Sequence, residues 1–176
     1  MSVGLRISLR VTFRFIPLIL YWSIPSKWGM IGGCLVAIGI LIKDLWFSEI
    51  TPMNLYLSFY FVVVNLLYFA LNMQWVFNLR HILSYLALGI FAWGSVYLDK
   101  PYTLYEARKS YSKSFESSTL FLEVNLLITK IWGSVYMISA LIRVLSEDTL
   151  AIVLIQCLIA MGIMLSISIP NYMPET

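Results

Sequence analysis

Five stretches of this chain stay apolar for long enough, or nearly so, to cross a bilayer. They run from about Trp28 to Ile42, Leu55 to Met73, Val76 to Leu98, Thr119 to Ile142 and Thr149 to Ile169. A hydrocarbon core about 30 Å thick takes roughly 20 helical residues, with a range of about 17–25. The polar breaks between them are short: Asp44–Pro52, Asn72–Gln74 and Ser146–Asp148. Lipid offers backbone groups no partner, and these runs lack the alternation of a barrel strand, so the pattern predicts helices.

The N-terminal stretch breaks that pattern. Leu5, Ile7, Leu9, Val11, Phe13 and Phe15 alternate with polar residues, a strand-like period. Arg6, Arg10 and Arg14 are also four apart, which places them on one face of a helix. A lone strand in a helical membrane protein would leave its edges unpaired, so the helix is preferred. It is read as a short sixth span or a half-inserted helix whose arginines snorkel to the surface. Basic start and apolar run aside, the segment lacks a small-residue cleavage pattern and is expected to be retained. The expected fold is an all-α polytopic membrane domain covering residues 1–176, with segments at 5–24, 28–42, 55–73, 76–98, 119–142 and 149–169.

Composition agrees with the pattern. The chain is 60% hydrophobic and only 12% charged, with mean hydropathy +0.84, against about 25% charged residues in an ordinary soluble domain. The net charge of +3 comes from dispersed residues, with no aromatic-interleaved basic face, which argues against nucleic-acid binding. The basic residues serve better as topology signals. If the first segment crosses, Arg6, Arg10, Arg14, Lys43, Lys100, Arg108, Lys109 and Lys113 share one side, against Lys27, Arg80 and Arg143 on the other. If it does not, the split is nearly even. The asymmetry favours six crossings, with both termini and the 99–118 loop cytoplasmic.

That loop is the only long one. Thr103 and Glu106 have capping-box spacing, so a surface helix is expected to begin there. Tyr102, Tyr105, Tyr111 and Phe115 would lie at headgroup level, and Arg108, Lys109 and Lys113 would contact headgroups or a partner.

Candidate chemistry inside the spans is sparse. Glu123 and Lys130, seven residues apart, share nearly one helix face; Asn125 and Thr129 lie on a rotated one. Ionisable residues in a span are functional candidates, against the plainer reading of a headgroup-level Glu123 and a snorkelling Lys130. Asn65 and Asn72 are candidates for interhelical hydrogen bonds or a substrate-facing role. Arg80 and His81 mark a hydrated helix entrance. His81 is the only histidine, which counts against a bis-histidine haem or multi-histidine metal site in one protomer. Cys34 and Cys157 sit in apolar runs without motif spacing and read as unpaired thiols. Gly29, Gly32, Gly33 and Gly39 mark a close helix contact. No nucleophile set or phosphate-cradling glycine loop can be assembled, so no catalytic residue is assigned and no cofactor follows.

Phe15-Ile16-Pro17-Leu18 before the spans, Trp75–Arg80 opening the fourth, and Asp99-Lys100-Pro101 closing it carry a resemblance. The chain resembles the intracellular septation protein A family of small bacterial inner-membrane proteins, linked to envelope maintenance and division. More narrowly, Pro101-Tyr102-Thr103-Leu104, Ala107-Arg108, Asn125, Thr129 and Trp132-Gly133 are similar to small uncharacterised membrane proteins with a Pro-Phe-Thr and Ala-Arg loop. Neither resemblance implies catalytic residues. The leading functional expectation is a non-enzymatic envelope scaffold or accessory subunit, whose partners are the bilayer and other membrane proteins or itself. The alternatives are a small transporter or channel with a polar path lined by the third and fifth spans, and a membrane enzyme or lipid-binding protein.

Overall fold

The computed structural model describes residues 13–108 and 118–169. Regular structure among these residues is helical: α1 (Ile16–Ser23), α2 (Lys27–Trp46), α3 (Pro52–Asn65), α4 (Trp75–Asn78), α5 (Arg80–Tyr97), α6 (Tyr102–Arg108), α7 (Thr119–Leu145) and α8 (Thr149–Ser168). A π-helical turn, Leu66–Ala70, extends α3. Four helices are long and apolar enough to span a membrane: α2, α3 with its π turn, α7 and α8. A fifth span is obtained if α5 and α6, bent by 77°, count as one broken or re-entrant segment.

Burial follows the logic of lipid rather than water. Asp44, Asn54, Ser58, Ser84, Asn125, Thr129 and Ser139 are buried, while Leu35, Phe59, Ile90, Leu141 and Met164 are exposed. A soluble monomer does not expose apolar surface on this scale. In hydrocarbon the polar groups must find partners inside the protein and the apolar ones need none.

Local chemistry explains where the helices start and stop. Pro52 occupies the first turn of α3, where its missing N–H costs nothing, and Thr51 caps it by accepting from the Asn54 amide. Ser118 caps α7 through the Phe121 amide, and Asp148 caps α8 through the Ala151 amide. Asp148 is exposed, and the Ala151 amide, then the Ser146 hydroxyl, hold its carboxyl below the usual carboxylate range. Ser48 and Asp99 end α2 and α5 in left-handed backbone, φ 54° and 51°. At Asp99 the amide bonds Val96 O and the next amide bonds Ser95 O, the paired pattern that closes a helix end.

Several sequence expectations shift. The second span reaches Trp46 rather than Ile42, because Asp44 is buried and paired instead of acting as a polar stop. The fourth is divided at Leu79 (φ −91°, ψ 16°) into α4 and α5. Within the loop, α6 begins at Tyr102 rather than after a Thr103 cap, since the Thr103 hydroxyl bonds α7 instead. Tyr102 and Glu106 are buried against protein, and the Tyr102 ring lies 5.5 Å from that of Phe91. Tyr111 and Phe115 lie outside the described residues, as do Arg6 and Arg10.

The chain divides into two compact units, one within Val11–Ser84 and one from Tyr85 onward. In the first, α1 packs on α2 and α2 on α3. The α2–α3 pair is antiparallel, its register marked by Met30 against Asn65, Gly33 against Phe61, Ala37 against Ser58 and Asp44 against Asn54. The proposed glycine face splits in two. A Cβ on Gly33 would sit 2.8 Å from Pro17 O and 2.6 Å from the Phe61 ring, whereas Gly32 and Gly39 face open space. In the second unit α7 packs on α6 and α8. Its contact with α5 is equally tight, since a Cβ on Gly133 would lie 2.9 Å from the Trp93 ring.

Candidate functional site

α7 carries the main concentration of polar side chains. At 3.6 residues per turn, Asn125, Thr129, Tyr136, Ser139 and Arg143 fall within about 40° of one line along the helix. The first four are buried and Arg143 is half-buried. Glu123 and Lys130 lie on nearly the opposite line, and both are exposed. The helix therefore presents inward a polar seam that is neutral from Asn125 to Ser139 and ends on Arg143, and it turns Glu123 and Lys130 outward.

The seam is held by its neighbours. Asn125 Nδ2 donates to Phe121 O at 2.8 Å. Thr103 Oγ1, on α6, donates to Asn125 O at 3.0 Å and lies 2.8 Å from Thr129 Oγ1. Because the Thr103 hydrogen is committed to Asn125, Thr129 is the donor of that pair. The hydroxyls of Tyr102 and Tyr136 are hydrogen-bonded to each other. On the α8 side Trp132 Nε1 donates to Ser166 Oγ at 2.9 Å. The Ser139 hydroxyl is the exception: it is buried without a hydrogen-bond partner.

The Val11–Ser84 unit has two polar clusters at opposite ends of its antiparallel helices. At one end Arg14 Nη1 meets Asp44 Oδ2 at 3.0 Å and Thr51 Oγ1 at 2.8 Å, and Asn54 Nδ2 donates to the same Asp44 oxygen. Arg14 is therefore a buried, ion-paired residue and not a snorkelling one. At the other end Ser84 Oγ donates to Arg80 O at 2.6 Å and accepts from Trp22 Nε1 at 3.2 Å. With its one hydrogen spent, Ser84 also accepts from Tyr60 at 2.9 Å.

The other candidates divide by position. Asn65 donates to Phe61 O at 2.8 Å and Met30 O at 3.4 Å, linking α3 to α2. Asn72 is exposed and in left-handed backbone just past the π turn, off the helix face it was expected to share with Asn65. Arg80 sits over the Phe77 ring at 4.7 Å, and the half-buried His81 ring is 6.1 Å from that of Trp22. Arg108 is exposed at the end of α6, while Lys109 and Lys113 lie outside the described residues. Among the described residues no three His, Cys, Asp or Glu side chains gather where they could hold a metal ion.

Sequence reasoning missed Asp44, Arg14 and Tyr136 as partners in these networks, and Ser139 as a buried member of the seam. The seam had a legible signal, since polar residues at 125, 129, 136, 139 and 143 keep helical spacing across the whole span. The ion pair had none, its two residues being 30 apart in sequence. No family model, no curated protein and no solved structure matches this chain. The fold and the site geometry establish a multi-span, all-helical membrane protein.

Proposed function

We propose that this protein is a non-enzymatic scaffold or accessory subunit of a bacterial inner-membrane complex, which it joins through the outer face of α7. The observation that carries this reading is Lys130, exposed on that face well inside a span. α7 is about 40 Å long and Lys130 lies roughly 16 Å from its start, beyond easy reach of either surface. A central charge costs about 2.5–3.5 kcal/mol on insertion scales and is nearly always covered by protein or water. Glu123, two turns earlier on the same face, adds a second charge for a partner to meet. The inward seam supports the same reading over a transport path, because Thr129 and Tyr136 are spent on α6 and Asn125 on its own helix.

The kinship with the septation protein A family and the cytoplasmic placement of the 99–118 loop belong to this proposal. A photo-crosslinker at position 130 of the full chain, activated in native membranes, tests it. Adducts with a second polypeptide, reduced several-fold by Glu123→Gln, are expected; an adduct of twice the chain's mass identifies the partner as a second copy. Lipid adducts alone would sink the proposal. Lys130→Met is expected to insert as well as wild type and to lose copurifying subunits in native mass spectrometry.

A further inference from the structure

The cluster around the start of α5 contains two buried hydrogen-bond donors with nothing to donate to. Tyr21 is fully buried, its ring edge-on to Phe61 at 5.6 Å, and its hydroxyl has no hydrogen-bond partner. Arg80 Nε is likewise buried and unsatisfied. The guanidinium makes one long bond, from Nη1 to Phe77 O at 3.4 Å, and rests on the Phe77 ring. Ser84 cannot serve as the missing acceptor, since its lone pairs are taken by Trp22 and Tyr60. The Phe61 ring packs edge-on against both Tyr21 and Tyr60, Tyr60 meets the Ser84 hydroxyl, and that hydroxyl bonds Arg80 O, so the two groups border one cluster. A buried donor left unsatisfied costs about 1–3 kcal/mol, more beside a charge. Two such donors, one cationic, call for an anionic acceptor.

The location narrows the class. Arg80 is one turn beyond Ser84, at the end of the unit that also holds the α1–α2 turn, the break after the π turn, and Lys27. Trp22, Trp28, Tyr68 and Trp75 lie at the same end, the composition of a headgroup-level belt. An arginine there offers planar paired donors that suit a phosphate oxygen better than an ammonium does.

We propose that Arg80 and Tyr21 form a binding site for a phosphate group, supplied by an anionic phospholipid headgroup or by free phosphate. Arg80 neutralises the phosphate and Tyr21 donates to one of its oxygens. Neither role depends on the docking face of α7.

The full chain, delipidated in detergent and titrated separately with phosphatidylglycerol, phosphatidylcholine and inorganic phosphate, tests this by native mass spectrometry and thermal melts. One phosphatidylglycerol retained per chain is expected, with at least tenfold weaker retention of phosphatidylcholine. Arg80→Met should lower retention at least tenfold and Tyr21→Phe several-fold, while Lys27→Met, a neighbouring exposed cation, should not change it. Binding of inorganic phosphate with the same variant pattern would support the site and assign its source to free phosphate. Tyr21→Phe also guards against misfolding: it should raise the melting temperature without lipid, by removing an unsatisfied hydroxyl, and shrink the shift that lipid produces. Equal losses in Arg80→Met and Lys27→Met, or no loss in either Arg80→Met or Tyr21→Phe, would overturn the proposal.

Discussion

The two units solve the problem of polar groups in lipid differently. The unit within Val11–Ser84 buries a full charge pair, Arg14 with Asp44, and places it at one end of its helices, where Thr51 and Asn54 complete the shell. The unit from Tyr85 onward lines α7 with neutral groups along much of its length and keeps the charges of Glu123 and Lys130 outside. The difference is one of stakes. An ion pair is worth keeping only while both partners are present, whereas a hydroxyl or amide can lose a neighbour and fall back on the helix's own carbonyls.

The largest effect should come from breaking the charged cluster on one side. Asp44→Ala leaves Arg14 as an uncompensated buried charge and is expected to destabilise the protein by about 3–5 kcal/mol. The double change Arg14→Met with Asp44→Leu should recover most of that loss. Unfolding by graded denaturing detergent measures both, and a double variant no better than the single would show that shape rather than charge holds this corner. In the other unit Thr129→Val should cost only about 0.6 kcal/mol, the average for a hydrogen bond between membrane helices. Thr103 would still donate to Asn125 O, so the seam survives. A loss as large as that of Asp44→Ala would erase the contrast between the units.

The smallest effect concerns a charge outside the spans. Asp148 is ionised more readily folded than unfolded, so its share of stability is present above the ordinary aspartate pKa. That share is lost as pH falls through the depressed folded value. Melts of wild type and Asp148→Asn should diverge near neutrality and converge in acid, since Asn caps a helix without the charge. Divergence that grows on acidification would reverse the assigned sign.

These contrasts also show what a reader of the sequence can reach. Spans were legible because apolar length is a local property, and the start of α8 at Thr149 follows directly from the capping Asp148. The opposition of Glu123 and Lys130 to Asn125 and Thr129 was legible too, being fixed by helical spacing. Which face turns inward was not, because that depends on Thr103 and Tyr102 folding back from α6. Arg14 looked like one of three equivalent arginines, and only the return of α2 and α3 places Asp44 and Thr51 beside it. Tyr21 carried no signal at all, since an unsatisfied hydroxyl is a property of its surroundings.

The π turn at the end of α3 has a consequence for how this chain can change in length. Leu71 N reaches back to Leu66 O, so the loop closed by that bond holds one residue more than an α-helical one. The span already contains a tolerated insertion, stored where the helix is about to end. Removing Leu67 would let Leu66–Ala70 close as an ordinary turn, with Asn65 still on its α2 carbonyl and the break at Asn72 merely drawn inward. The same deletion inside α7 would rotate every later residue by about 100° and carry Tyr136 and Ser139 out of the seam. Loss of a residue is therefore cheap at 66–70 and ruinous between 125 and 139, and natural length variation in these spans should collect at the first place.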